Sequence, residues 1–140
     1  MHLLDTNIIS ELRKAHTGKA NLNVLKWAKS QDASNLFISS ITVMEIELGI
    51  LAIERKDAAQ GNLLRTWFQQ QVLPEFAGSI LAIDTSVALR CAQLHVPDKR
   101  SERDAFIAAT ALVHGMSVVT RNVADFIPTG VSIINPWDEL

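Results

Sequence analysis

The sequence has a single cysteine, Cys91, and no apolar run long enough to cross a membrane. One cysteine excludes an internal disulfide, and a membrane-spanning helix needs roughly 18 or more consecutive apolar residues. Met1 is not followed by a basic segment and an apolar run of the kind that makes a secretory signal peptide. We therefore expect a soluble, cytoplasmic protein with no membrane partner.

The chain also lacks a surplus of charge of one sign. Its 13 basic and 15 acidic residues give a formal net charge of −2, so composition alone gives no support to a nucleic-acid partner, which usually shows as a basic surplus. An apolar share of 48% with 20% charged residues is typical of a globular protein. At this length we expect one domain spanning residues 1–140.

Short apolar runs alternate with longer segments of helical periodicity. Five runs predict strands: Met1–Leu4, Leu36–Ser39, Ile80–Ile83, Ser117–Thr120 and Val131–Ile134. Six segments predict helices: Ile8–Lys14, Asn21–Lys29, Ile41–Arg55, Ala58–Phe76, Val87–His95 and Arg103–His114. Strands separated by helices require crossover connections, so the predicted fold class is α/β, with a mostly parallel central sheet of about five strands flanked by helices.

Acidic residues follow several of these strands, and helix capping explains many of them. Asp5-Thr6 comes directly after the first strand, and Asp84-Thr85 repeats the pattern after the third. Asp before a helix is a preferred N-cap, worth about 1 kcal/mol. The spacings Thr42 to Glu45 and Ser101 to Asp104 match capping boxes. Because helices that follow parallel strands all begin at one sheet edge, capping itself would gather these acids.

Two glutamates in the third predicted helix need a further explanation. Glu45 and Glu47 lie in a segment that is apolar nearly all round. A buried carboxylate needs a cation, a basic partner or a proton, and no basic residue is near in sequence. Periodicity does not choose between the two glutamates.

Four blocks of sequence, taken in order, resemble the PIN-domain nucleases: Asp5–Asn7, Ser40–Gly49, Asp104–Ala111 and Val119–Asn122. Within that family the chain is most similar to the VapC-type toxins of type II toxin–antitoxin systems. The segment Asn135-Pro136-Trp137 resembles their FitB-like branch. The resemblance extends essentially from end to end and implies a PIN-like fold.

The resemblance implies an acidic catalytic site. Asp5, Glu45 and Asp104 match the three acidic positions most characteristic of the family, which favours Glu45 over Glu47. Closely spaced carboxylates favour a hard cation, and no Cys/His set for zinc exists, so we expect Mg²⁺, with Mn²⁺ as a substitute. Asp5 and Asp104 are the expected direct ligands, with Glu45 completing the site.

A fourth acid and several supporting polar groups are implied in the same way. Some relatives have an acid where this chain has Asn122, and others have one about three residues later, where it has Asp125. We expect Asp125 to be the fourth catalytic carboxylate and Asn122 a polar support. Thr6, Asn7 and Thr120 match supporting positions, where a hydroxyl or amide fixes a carboxylate or a bound water.

The implied function is a metal-dependent endoribonuclease that is the toxin half of a bacterial toxin–antitoxin pair. The implied partners are RNA, a cognate antitoxin, a second copy of the chain, and DNA only through the antitoxin. Lys99, Arg100, Arg103 and Arg121 are candidates for a basic rim that holds RNA, with solvated surface charge as the alternative. No basic strip interleaved with aromatics appears, so base stacking has little support. The rival hypothesis is a non-catalytic scaffold within a DNA-binding regulatory complex.

Overall fold

A five-stranded sheet forms the centre of the protein, whose computed structural model describes residues 1–138. The strands are β1 (His2–Leu4), β2 (Leu36–Ser39), β3 (Ile80–Leu81), β4 (Ser117–Val119) and β5 (Ile133–Ile134). Their order across the sheet is β3-β2-β1-β4-β5, and every neighbouring pair is parallel. The predicted fold class is therefore confirmed, and each of the five strands lies within its predicted run.

Eight α-helical segments connect and cover the strands in the described part of the chain. They are α1 (Thr6–Arg13), α2 (Leu22–Lys29), α3 (Ser40–Lys56), α4 (Ala58–Trp67), α5 (Leu73–Glu75), α6 (Thr85–Leu94), α7 (Glu102–His114) and α8 (Val123–Phe126). Short 3-10 turns follow α1 and α8 and precede β2. No helix in residues 1–138 is both long and apolar enough to cross a membrane.

Helices cover both faces of the sheet. Consecutive strand residues point to opposite faces, so neighbouring side chains enter different cores. Leu3 lies in a core cluster with residues of α6, α7 and α8, whereas Leu4 lies in a second cluster with residues of α1, α3 and the α4–α5 region. Both side chains are at most 1% exposed. This two-sided burial explains why the strand segments are continuous apolar runs rather than alternating ones.

The helix predicted over residues 58–76 is divided into three parts. α4 ends at Trp67, a π-helical turn occupies Phe68–Val72, and α5 ends at Glu75. Phe68, Val72 and Phe76 are all at most 7% exposed and repeat every four residues. Their spacing of four residues is longer than the α-helical period of 3.6 residues, and the π-helical turn lengthens the local period.

The sheet order creates a crevice beside β1. The chain leaves β1 toward β2 on one side of the sheet, and the later strand β4 pairs with the opposite edge of β1. Ligand sites of open α/β sheets lie at the carboxyl ends of strands where the strand order reverses in this way. Asp5 follows β1 and Thr120 follows β4, so both residues lie at this position.

Candidate active site

Asp5 is both a helix cap and part of the cleft. Its Oδ1 accepts a hydrogen bond from the backbone N–H of Thr6 at 2.8 Å, which makes Asp5 the N-cap of α1. Its own N–H donates to the carbonyl oxygen of Val119 at 2.9 Å, which ties the end of β1 to β4. The side chain lines the cleft although the residue is only 5% exposed. Burial is the main cause that raises its pKa.

Thr120 is the centre of a hydrogen-bond network that orients Asp5. Its buried hydroxyl donates to Asp5 Oδ2 at 2.8 Å and accepts from Asn7 Nδ2 at 3.2 Å. The same oxygen accepts from the backbone N–H of Asn122 at 3.0 Å. Asn7 Nδ2 also lies 3.3 Å from Asp5 Oδ2, and Asn7 Oδ1 accepts from the backbone N–H of Arg121. The structure thus brings Thr120 and Asn7 to the positions expected of supporting groups.

Glu45 reaches the cleft from the second turn of α3. Its Oε1 accepts a hydrogen bond from Thr6 Oγ1 at 2.8 Å, and its Oε2 lies 3.6 Å from Nη1 of Arg103. The predicted capping box at Thr42 is wrong, because α3 begins earlier and Ser39 is its N-cap. Glu45 is therefore free to serve the cleft rather than the helix end.

Glu47 points elsewhere and has its own basic partner. The Arg65 guanidinium of α4 bonds both Glu47 and Glu54, the latter at 2.9 Å. The Glu47 side chain is 38% exposed, compared with 22% for Glu45. A basic partner for each glutamate is thus supplied from a distant helix, which reading along the sequence did not reveal.

Asp104 lies in the first turn of α7 and faces the same cleft as Asp5 and Glu45. It accepts no side-chain hydrogen bond from the described residues 1–138. Burial, followed by the charges of Asp5, Asp125 and Glu45, raises its pKa to about 6. Three elements that are far apart in sequence therefore supply three mutually repelling carboxylates to one space.

Asn122 and Asp125 occupy different sides of this region. Asn122 lines the cleft with Asp5, whereas Asp125 lines an adjoining cavity of about 220 Å³. The two spaces share Asp104, and the Asp125 charge acts on the pKa values of both Asp5 and Asp104. Asp125 is exposed and caps no helix with its side chain. Its role as a fourth carboxylate stays a prediction.

The candidate basic rim is divided in the structure. Arg121 lines the main cleft, and Arg103 contacts Glu45 from α7. Lys99 and Arg100 line the adjoining cavity. Arg100 Nε donates to the carbonyl oxygen of Leu94 at 2.8 Å, and its Nη2 donates to a second backbone carbonyl. Arg100 therefore holds the loop before α7, whereas Lys99 and Arg121 line the two cavities and Arg103 reaches the site through its contact with Glu45.

Several cleft residues were not identified from the sequence. Ser10, Glu11 and Lys14 line the cleft together with Asn7. These positions are spaced i, i+3, i+4 and i+7 along α1 and its C-cap Lys14, so helical periodicity from Asn7 would have found them. Trp137 lines the opposite side, and no local pattern in the sequence links it to the acids.

The donor set fits a hard divalent cation in its chemistry. The acidic side chains of the cleft offer carboxylate oxygens, and no cysteine or histidine of residues 1–138 lines it. Burial raises the pKa of both Asp5 and Asp104, because charge on a buried carboxylate is unfavourable without a cation. Within residues 1–138, no three acidic, histidine or cysteine side chains are grouped closely enough to hold a metal ion as they are arranged. The three carboxylates instead face a shared open space of about 420 Å³.

The fold and the acidic cleft can be compared with those of known protein families. A family model described as "PIN domain" matches residues 2–126, and the chain belongs to that family. It is 38% identical over 146 residues to the VapC ribonuclease Y4jK of Sinorhizobium fredii, with 99% of each chain covered. It is 35% identical over 144 residues to the toxin FitB of Neisseria gonorrhoeae, covering 99% of this chain and 100% of that one. The family resemblance seen in the sequence blocks is confirmed.

A solved structure of FitAB bound to a DNA fragment superposes on the chain with a TM-score of 0.89. The identity is 35%, and the alignment covers 100% of this chain and 98% of the matched one. The agreement extends over all five strands, so the similarity is to a whole fold rather than to an isolated motif.

Proposed function

We propose that the protein is a Mg²⁺-dependent endoribonuclease and the toxin component of a bacterial toxin–antitoxin module. One observation carries the catalytic part of this proposal: Asp5, Glu45 and Asp104 converge on one cleft from β1, α3 and α7. A separate acidic residue on each of three elements is not needed for capping. It is the arrangement expected where several carboxylates share a divalent cation.

The chain's own groups fix the geometry of this site. Asp5 and Asp104 would hold Mg²⁺ directly, and Glu45 would complete the set, with Mn²⁺ as a substitute. When bound, the ion lowers the pKa of a water molecule and offsets negative charge on the phosphate. Thr120 fixes the rotamer of Asp5, and Thr6 fixes that of Glu45. We assign Asp125 as the fourth acid, and its support is that it shares a cavity with Asp104 and adds to the effect of burial in raising the pKa of that carboxyl.

The relatives support the choice of substrate and biological role. Y4jK is named a VapC ribonuclease and FitB is named a toxin. Both match this chain over nearly its whole length, including the elements that carry the three acids. We therefore propose RNA as the substrate, and a cytoplasmic location stays a prediction.

Two matched N-cap substitutions test the catalytic assignment. Asp5 caps α1, and Asp84 caps α6 by accepting from the Val87 N–H at 3.0 Å, but Asp84 does not line the cleft. Asn is as good an N-cap as Asp, so both Asp→Asn variants should fold. We expect Mg²⁺-dependent RNA cleavage to fall at least about 100-fold in Asp5→Asn and to be unchanged in Asp84→Asn. Full activity of folded Asp5→Asn would show that the site is wrongly assigned.

The second part of the proposal concerns the antitoxin. FitAB has been solved bound to a DNA fragment. We propose that this chain binds a cognate antitoxin and contacts DNA only through it. Expression of the chain should arrest growth, and co-expression of a small neighbouring reading frame should restore it. Absence of RNA cleavage by folded protein, together with DNA binding by the pair, would favour the non-catalytic scaffold instead.

The homodimer is supported by an exposed apolar stripe on α3. Met44, Leu48 and Leu51 are 40%, 45% and 47% exposed and lie at i, i+4 and i+7, on one face of the helix. Contiguous exposed apolar groups of this kind mark association surfaces. We expect Leu48→Lys to shift the sedimentation of the protein from dimer to monomer. The control Leu89→Lys alters an exposed leucine on α6 and should leave the dimer intact.

A further inference from the structure

Trp137 forms part of the wall of the acidic cleft. Its indole is half-buried and faces the same space as Asp5, Glu45 and Asp104. It is the only aromatic side chain that lines the cleft among residues 1–138. One part of the ring packs against the core cluster that contains Leu4. The residue also lines the cleft, so a molecule in the cleft can contact its side chain.

Arg121 lies against this ring. Its guanidinium carbon is 5.3 Å from the centroid of the Trp137 ring, which is within the range of a cation–π contact. Arg121 also lines the cleft, and its backbone N–H donates to Asn7 Oδ1. An aromatic surface and a cation are therefore paired beside the carboxylates, although they are far apart in sequence.

Backbone contacts hold Trp137 in position. Asn23 Nδ2 of α2 donates to the carbonyl oxygen of Trp137 at 3.0 Å. The Trp137 N–H donates to Asn135 Oδ1 at 3.0 Å, and the Asp138 N–H donates to the carbonyl oxygen of Asn135. A backbone fixed in this way, together with packing of the indole against the core cluster, leaves less conformational freedom to lose when a ligand binds, which increases affinity.

We propose that the Trp137 indole is a stacking subsite for an RNA base next to the scissile phosphate. Arg121 is the cation of this subsite, beside the indole. This inference rests on the proposed ribonuclease function, which places the phosphate at the acids. Every nucleobase has a π face, and unpaired RNA bases are commonly held by aromatic and arginine side chains. Because larger π faces stack more strongly, the subsite predicts a preference for a purine at one of the two nucleotides that flank the cut.

A binding experiment tests the subsite without requiring cleavage. In the Asp104→Asn background, which removes one repelling charge and prevents turnover, tryptophan fluorescence is followed while a short single-stranded oligoadenylate is added. Stacking on Trp137 should quench the emission. Adding Trp137→Phe should abolish this quenching, and adding Trp137→Leu should weaken binding about 5- to 150-fold.

Trp67 supplies a matched control. It is also half-buried and also lies under an arginine, with the Arg13 guanidinium carbon 5.9 Å from its ring centroid. It lines a separate apolar cavity that shares no residue with the cleft. Trp67→Phe should keep both the RNA affinity and the quenching. Equal quenching in the Trp137→Phe and Trp67→Phe proteins would overturn the stacking subsite. Absence of quenching in the Asp104→Asn background protein would overturn it as well.

A cleavage experiment separates stacking from a structural role of the ring. Substrates that carry an abasic nucleotide on one or the other side of the cut are compared with the intact RNA in Mg²⁺. The unsubstituted protein should discriminate against one of the two abasic substrates, mainly through KM. Trp137→Leu should lose this discrimination, and Trp137→Phe should recover part of it.

The two experiments fail in different ways. If the unsubstituted protein cleaves RNA but Trp137→Leu still discriminates against the abasic substrate as before, the subsite is wrong and the nuclease stands. If the protein does not cleave RNA at all, the proposed function fails, and the fluorescence result still decides whether a base stacks on Trp137.

Discussion

Replacing Asp104 by asparagine should stabilise the metal-free protein while it abolishes cleavage. The pKa of Asp104 is raised from 3.8 to about 6, first by burial and then by the neighbouring carboxylates. Between these two values the folded state retains a proton that the unfolded chain has lost. Stability therefore falls as the pH rises through this range, and above about 6 the penalty is complete. Asparagine carries no charge, so the Asp104→Asn protein does not have this stability penalty.

The size of the effect follows from the pKa change. A pKa raised from 3.8 to about 6 corresponds to about 3 kcal/mol at the most. Asp104 is partly exposed, so solvent screening reduces this to about 1 kcal/mol at pH 8. For a domain of this size, that corresponds to a rise of roughly 3 °C in Tm.

Urea unfolding in EDTA at pH 4 and pH 8 measures the effect. The stability gain of Asp104→Asn should be largest at pH 8 and close to zero at pH 4. Asp98→Asn is the control, because Asp98 is exposed and lies outside the cleft. Mg²⁺ should stabilise the unsubstituted protein and have a smaller effect on Asp104→Asn. A gain that is the same at both pH values, or a loss at pH 8, would refute the argument that repulsion at Asp104 destabilises the apo fold.

Three further substitutions address the groups around Asp5. Thr120→Val keeps the side-chain shape but removes three hydrogen bonds, of which the bond to Asp5 is buried and the other two are partly buried. We expect a loss of about 1–3 kcal/mol in urea unfolding and a lower kcat; unchanged values for both would contradict its orienting role. Glu45→Gln should lower RNA cleavage, whereas Glu47→Gln should affect only stability, because Glu47 bonds an arginine of α4 outside the cleft; equal loss of cleavage would contradict the assignment. Arg103→Ala removes a half-exposed ion pair with Glu45, so the free energy of unfolding should change by less than about 1 kcal/mol. Mg²⁺ affinity measured by calorimetry should rise, because a cation that competes for Glu45 is lost; weaker Mg²⁺ binding would refute this.

The layered fold was predictable because its signals are local. Each strand is a short apolar run, and the helix-forming segments between them fix parallel connections. The predictions fail where longer-range packing decides. α8 has only four residues and no periodicity that could reveal it. The wide turn Phe68–Val72 follows from how its apolar residues meet the sheet, which the sequence does not contain.

The acids of the site were predictable only with the family resemblance, and their partners were not. Local reasoning left Glu45 and Glu47 equivalent, and the structure separates them through Thr6 and Arg65, which lie on other elements. Arg121 and Trp137 are likewise brought together by the sheet, because they follow the neighbouring strands β4 and β5 at its carboxyl edge. Side chains brought together by topology have no spacing rule in the sequence.

The two Asp-Thr pairs show why a motif alone does not make a site. Asp5 and Asp84 are both N-caps with extended backbones, and each accepts a backbone N–H from its helix. Asp84 follows the edge strand β3, where no second strand end supplies further polar groups from the other side. Asp5 follows the central strand β1, beside β4, and Thr120 bonds it from there. Capping chemistry therefore fixes how each aspartate is held, whereas the position of its strand in the sheet decides whether other carboxylates reach it.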